Sequence, residues 1–140
     1  MSYPAPDISN LSAPYWEGLK GGRLLYLRCR HCGHRWLPAR EACPRCLTAE
    51  PSWEESKGRG KVVSWVVYHL AYHEAFKARL PYDVTLVELD EGPRLLTNVV
   101  DSQAGKRLAL GSVVYLKIEH EGELALARFS LEHPAGAREP

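Results

Sequence analysis

The sequence predicts a mainly β protein in three parts: a short N-terminal helix, a four-cysteine metal ribbon and a small barrel of five strands. Three observations lead there. The chain's only four cysteines stand as two Cys-x-x-Cys pairs ten residues apart, in CRHCGHRWLPAREACPRC at 29–46. From Lys61 onward, apolar residues recur with period two in short runs broken by Gly, Pro and acidic turn formers. Ahead of the cysteines, one short aromatic stretch lies between Pro14 and Gly21-Gly22.

At 140 residues, 45% apolar and 25% charged, the chain suits one ordinary domain, or two small ones sharing a core. No apolar run approaches the roughly 18 residues that a membrane helix needs. The start, MSYPAPDISNLSAPYW, lacks the basic and apolar regions of a secretory signal. A cytoplasmic setting with reduced thiols is expected, which favours metal over disulfides. The net charge of +1 hides an asymmetry. Lys20 to Cys46 holds seven basic residues against one acid, whereas Asp83 to Pro140 holds ten acids against six bases. A basic front half could meet phosphate or an acidic partner, or it could be a solvated surface.

Taken in order, residues 1–23 form an N-terminal segment. Ser12 is placed as helix cap and Pro14 in the first turn of a helix ending at Lys20. So short a helix is unstable alone. It must bury Tyr15, Trp16 and Leu19 on its own chain or on a partner. Residues 24–57 form the ribbon, with a strand over 24–28 leading into the first cysteine pair and Trp53 on a return strand. Lys57-Gly58-Arg59-Gly60-Lys61 reads as a flexible hinge.

Residues 58–131 form the barrel. Strands are predicted at 61–70, 82–90, 94–100, 114–119 and 124–131, with an insert at 71–81 and turns at Glu91-Gly92-Pro93 and Glu121-Gly122. Residues 132–140, with Pro134, Gly136 and Pro140, form a frayed tail. Five short antiparallel strands favour closure, which removes exposed edges. An OB-fold is the natural candidate, although strand count alone does not separate it from an SH3-like barrel.

Cys29, Cys32, Cys43 and Cys46 offer four thiolates, the donor set of a structural tetrahedral zinc ion, one per chain, with iron as the less favoured alternative. Gly33 and Pro44 suit the tight turns involved. A closed four-sulfur shell leaves no position for water or substrate, so the metal is expected to support a segment too small for a core of its own. The ligation also removes every cysteine nucleophile, and no serine sits in a Gly-x-Ser-x-Gly context. His69 and His73, followed by Glu74, superficially suggest a metal or acid–base pair. His69 falls on a predicted strand, so packing or surface placement is the better reading. No catalytic residue is assigned.

The motifs, in their order, resemble the DUF35 family. They are Tyr15-Trp16-Glu17-Gly18, Cys29-Arg30-His31-Cys32-Gly33, Cys43-Pro44-Arg45-Cys46, Gly58-Arg59-Gly60-Lys61-Val62, Pro81-Tyr82 and Val87 to Leu95. The resemblance spans about residues 14–131. It implies a helix, a rubredoxin-like zinc ribbon and an OB-fold. It further implies a non-catalytic subunit of a thiolase-superfamily acyl-CoA enzyme, either a thiolase or a thiolase-like aldolase, in a hetero-oligomer with active-site residues on the other chain. CoA or acyl-CoA would then bind only in the complex, at the shared interface.

Carried over, Tyr15, Trp16 and Leu19 become docking candidates. Phe76, Pro81 and Tyr82 become candidates for lining an acyl passage, and Lys57, Arg59 and Lys61 for gathering around a CoA phosphate. Asp83 and Thr85 make the second barrel strand more polar than the family tendency.

Two other classes compete. Ribbons and OB-folds bind single-stranded nucleic acid through stacked aromatics and basic grooves, but the barrel segment is acidic and shows no repeated aromatic–basic alternation. A stand-alone acyl-CoA carrier would need a cavity that a five-stranded barrel fills with its own side chains. No membrane partner is expected.

Overall fold

A computed structural model describes residues 6–71 and 73–133. The frayed tail expected over 132–140 lies outside the described residues from 134 onward. Helix α1 (Ala13–Lys20) carries Pro14 in its first turn. Ser12 already has helical dihedrals and makes no side-chain cap bond, contrary to the sequence expectation. Its Oγ instead accepts from the Ser9 N–H, and the Ser12 N–H donates to Ser9 Oγ, closing a turn ahead of the helix.

Three strands make the ribbon sheet, in the order β2-β1-β3: β1 (Leu25–Cys29), β2 (Arg35–Trp36) and β3 (Pro51–Glu55). Its small core is Leu27, Trp36, Cys29 and Cys43. The two-residue β2 was not visible in the sequence, being too short to show a period.

Five antiparallel strands make the second sheet, in the order β6-β5-β4-β7-β8: β4 (Arg59–Tyr68), β5 (Tyr82–Leu89), β6 (Arg94–Thr97), β7 (Val113–Glu121) and β8 (Leu124–Ser130). A parallel bridge from Val99, just past β6, to Phe129 on β8 brings the two edges together. The result is the nearly closed barrel of an OB-fold. Phe129, Leu89, Val87, Val114 and Val62 fill the interior, and Leu19 and Leu24 join them from outside the barrel sequence. The third barrel strand ends at Thr97 rather than near Val100, because the chain leaves the sheet to make the closing bridge. The insert holds a 3-10 helix, Glu74–Arg79, with no buried residue.

The expected hinge at 57–61 is ordered structure. Arg59, Gly60 and Lys61 pair with Leu89, Glu88 and their neighbours across β4 and β5 and with β7 on the other side. Gly60 is required there: a Cβ would stand 2.7 Å from both the Glu88 carbonyl oxygen and Val87 Cγ1.

Candidate functional site

The metal ribbon is two copies of one turn. In the first, the Gly33 N–H donates to the Cys29 carbonyl at 2.9 Å and the Cys29 N–H to the His34 carbonyl at 2.8 Å. In the second, the Leu47 N–H donates to the Cys43 carbonyl at 2.8 Å and the Cys43 N–H to the Thr48 carbonyl at 3.0 Å. Backbone amides also reach the sulfurs, from Cys32 to Cys29 Sγ at 3.5 Å and from Arg45 to Cys43 Sγ at 3.4 Å. Such N–H···S contacts hold the ligands in place.

The four sulfurs lie within 4.8 Å of one another. Cys29–Cys46 and Cys32–Cys43 are each separated by 3.6 Å. A tetrahedron with Zn–S bonds of 2.3 Å has edges of about 3.8 Å. The cysteines therefore fit a four-coordinate ion of zinc size without rearrangement, as the spacing predicts. When bound, the ion supplies cross-linking of the two turns, and the donor set is complete without water.

Each turn ends on a residue with left-handed backbone, Gly33 at φ 81° and Leu47 at φ 66°. Glycine adopts that conformation freely, whereas a leucine there costs about 1 kcal/mol or more. Leu47 gains no burial in exchange, being 76% exposed.

The docking candidates divide. Leu19 is 1% exposed and belongs to the barrel core, so it is not available to a partner as expected. Tyr15 and Trp16 pack edge to face at 5.1 Å against the same core while lining a groove of about 670 Å³. Leu37, Pro38, Leu86 and Leu96 complete its apolar wall. Burial pushes the Tyr15 hydroxyl up to about 12.

The acyl-CoA candidates also divide. Phe76, Pro81 and Tyr82 come together on the wall of a second cleft, about 410 Å³, with Arg79, Asn98 and Arg128. The rings of Phe76 and Tyr82 lie 5.9 Å apart, and Tyr82 meets Tyr68 at 5.5 Å. Lys57, Arg59 and Lys61 are not in this cleft. Lys61 and Arg59 sit toward the opposite end of β4, about 23–30 Å along the strand from Tyr68 beside the cleft, and Lys57 precedes the strand.

Nor do the backbone amides at 57–61 await a phosphate. The Lys57 N–H donates to Glu91 Oε2 at 2.9 Å, Ser56 Oγ donates to Glu91 Oε1 at 2.8 Å, and the Gly58 N–H donates to Ser56 Oγ. Arg59 is paired with Asp90 at 3.2 Å. Glu91 thus engages the Lys57 amide directly and the Gly58 amide through Ser56, while residues 59–61 lie in the sheet. Because Arg35 of the ribbon donates to the Glu91 carbonyl at 3.4 Å, that turn joins ribbon to barrel.

Sequence reading missed the polar lining of the second cleft. Arg79 lies 2.6 Å from Glu121, and Arg128 contacts Glu119 at 2.8 Å and Glu121 at 3.2 Å. Burial alone would raise the Glu121 carboxyl, but the Arg79 and Arg128 guanidiniums outweigh it and hold the group below its ordinary range. Asp83 and Thr85 are buried and face the barrel interior. The Asp83 carboxylate accepts from Thr85 Oγ1, the Val99 N–H and Ser102 Oγ, anchoring the loop after β6. Period two would have revealed this, since Asp83 and Thr85 share a face with Val87 and Leu89. His73 caps the 3-10 helix, its Nδ1 accepting from the Ala75 N–H at 3.0 Å, and His69 is exposed. Among the described residues the four cysteines form the only cluster suited to a metal ion. No described helix is long and apolar enough to cross a membrane.

Two family models match in succession: the ChsH2 rubredoxin-like zinc ribbon domain over residues 16–52 and the ChsH2 C-terminal OB-fold domain over residues 53–119. A DUF35 domain-containing scaffold protein of Methanocaldococcus jannaschii is 33% identical over 71% of this chain and 72% of its own length. A probable enoyl-CoA hydratase alpha subunit of Thermomonospora curvata is 38% identical over 90% of this chain, which spans only 39% of that relative. Among solved structures, a chain of the Ltp2-ChsH2(DUF35) aldolase matches with TM-score 0.79 and 35% identity, covering 90% of this chain and 98% of that one. A DUF35 structure of unknown function from Sulfolobus solfataricus, at TM-score 0.61 and 21% identity over 85% of this chain and 83% of its own, shares the fold. With its closed four-cysteine ribbon joined to an OB barrel, this chain belongs to the DUF35 family.

Proposed function

We propose that this protein is a non-catalytic subunit of an acyl-CoA enzyme complex, with a thiolase-superfamily chain as its partner. The observation that carries this reading is the match, over nine-tenths of the chain, to the DUF35 part of a solved aldolase assembly. The scaffold names of the archaeal relatives support it, and the thiolase identity of the partner rests on the family resemblance. Chemistry points the same way. The metal shell is complete without substrate, and every thiol is committed to it.

In this reading the partner carries out carbon–carbon bond making or breaking. The present chain fixes subunit geometry and supplies one wall of the acyl-CoA site. The cleft at Phe76, Pro81 and Tyr82 suits the uncharged acyl or pantetheine portion rather than a phosphate. Its two arginines are already matched by Glu119 and Glu121, so it offers aromatic surface without excess positive charge. Tyr15 and Trp16, at the apolar groove, remain the docking candidates of the helix. The ion is assigned as one structural Zn²⁺ per chain, and the setting as cytoplasmic.

The test is co-expression with a thiolase-like subunit from the same cell, followed by sedimentation and mass spectrometry of the purified material. A stable hetero-oligomer whose acyl-CoA turnover requires both chains is expected. Turnover by this chain alone, or failure to associate, would contradict the proposal.

A further inference from the structure

The second cleft holds more charge than an aromatic wall needs, and that charge is closed upon itself. Arg79 follows from the insert and Arg128 from β8, and both stand on the lining. The Arg128 side chain is only 9% exposed and bridges Glu119 at 2.8 Å and Glu121 at 3.2 Å. Arg79 meets the same Glu121 at 2.6 Å. Glu121 is not on the lining, so it acts on the cleft through the two arginines. Glu119 and Asp83 do line it, and the Asp83 carboxylate already accepts from Thr85, Val99 and Ser102.

Two guanidiniums therefore face three carboxylates. Charged neighbours of the lining residues do not alter that balance. Lys77 is paired with Glu74 at 4.0 Å, and Arg107 donates to the carbonyl of Asp101. Lys106 is exposed, as is Lys117 across from Arg128 in the register, and neither lines the cleft. A guest ending in a carboxylate would find every guanidinium on this wall already engaged. It would give up its hydration beside groups of its own sign. An uncharged end meets Phe76, Pro81 and Tyr82 and loses little.

We infer that this cleft selects acyl-CoA thioesters with an uncharged acyl end over those ending in a carboxylate, and that Glu121 sets the selectivity by neutralising Arg79 and Arg128. This rests on the acyl-CoA reading above and adds to it the substrate class and the residue that fixes it.

The experiment measures equilibrium binding of hexanoyl-CoA and its ω-carboxylate counterpart, adipoyl-CoA, to the metal-loaded full chain in complex with its partner subunit. The variants are Glu121→Gln, Glu119→Gln, Arg79→Gln and the double variant Arg79→Gln/Glu121→Gln. The wild type holds hexanoyl-CoA about tenfold tighter or more. Glu121→Gln releases one guanidinium charge into the cleft. The ratio of the two affinities then moves about tenfold toward adipoyl-CoA, the size of one charge-assisted hydrogen bond. Glu119→Gln moves it the same way through Arg128, and carries the test where Glu121→Gln does not assemble. The double variant restores the charge balance and returns the ratio to its wild-type value. Arg79→Gln breaks the contact between insert and hairpin without adding positive charge, and does not move the ratio toward adipoyl-CoA.

An unchanged ratio in both glutamate variants, or a wild type that holds adipoyl-CoA equally or more tightly, overturns the inference and leaves the acyl-CoA reading standing. A shift that persists in the double variant, or that Arg79→Gln produces alone, also overturns it, because a loosened insert then explains the change. If neither thioester binds the wild-type complex, or no complex forms, the acyl-CoA reading and this inference fall together.

Discussion

The ribbon and the barrel meet the same requirement by different means. Ten buried apolar residues pack the barrel interior, with α1 lending Leu19 and the approach to β1 lending Leu24. The ribbon has four, and two of those are the metal ligands Cys29 and Cys43. Burial at roughly 25 cal/mol per Å² can hold the first unit, whereas the second has too little apolar surface to offset its conformational entropy. The metal belongs where the core runs out. The second cleft, by contrast, is built by the barrel and its insert, and the first groove by helix and barrel with Leu37 and Pro38 of the ribbon closing one side.

That contrast is broken most forcefully by removing the metal. Chelation, or Cys43→Ser, should melt the ribbon, since structural zinc supplies on the order of 10 kcal/mol to such modules. Hydrogen exchange should then show protection lost over 25–55 and kept across β4 to β8. Loss of protection everywhere would mean the two units share one cooperative core.

The reverse experiment is Phe129→Ala, which empties the centre of the barrel. Phe129 is fully buried and its backbone takes part in the closing bridge, so a cost of about 3–5 kcal/mol is expected in denaturant melts. Cobalt substituted into the same variant should keep its tetrahedral thiolate spectrum at temperatures where the barrel still folds.

The joint between the units is the next test. Glu91→Ala leaves the buried Ser56 hydroxyl and the Lys57 N–H without their acceptor, at a cost of about 1–3 kcal/mol. It should also separate the ribbon and barrel transitions in a thermal scan. A single unshifted transition would mean that the Glu91 contacts do not couple them.

The smallest effect concerns pH. Glu121 is held below the ordinary glutamate range, so its stabilising contribution is present above about pH 4.3 and is lost as pH falls through the depressed folded value. Arg79 is 38% exposed, and solvent screening keeps the pair below about 1 kcal/mol. Acid titration of the 3-10 segment by exchange should show it loosening before the barrel, and Arg79→Gln should flatten that dependence.

Legibility in the sequence followed the same divide. The metal ligands were readable because four cysteines at fixed spacing admit few alternatives, and five strands were readable because period two survives in β5, β7 and β8. What escaped depends on through-space pairing. Lys57 to Lys61 looked like a hinge because Gly-Arg-Gly is flexible in isolation. Only the approach of Glu88 to within 2.7 Å of a Cβ on Gly60 shows why glycine stands there. Leu19 looked like a docking residue because nothing local reveals that the barrel closes over it. The latch of Arg79 and Arg128 on Glu121 joins the insert, β7 and β8, a contact that no local pattern encodes. Leu47 was missed for a simpler reason: its left-handed backbone is invisible until the two turns are compared.

The central claim is that the metal holds the ribbon together and leaves the chemistry to a partner. Its most direct test is turnover of the reconstituted complex with the ribbon loaded in turn with Zn²⁺, Co²⁺ and Cd²⁺, each tetrahedral on four thiolates. Unchanged kcat and KM for acyl-CoA across the three metals are predicted; turnover that follows the identity of the metal would contradict the account.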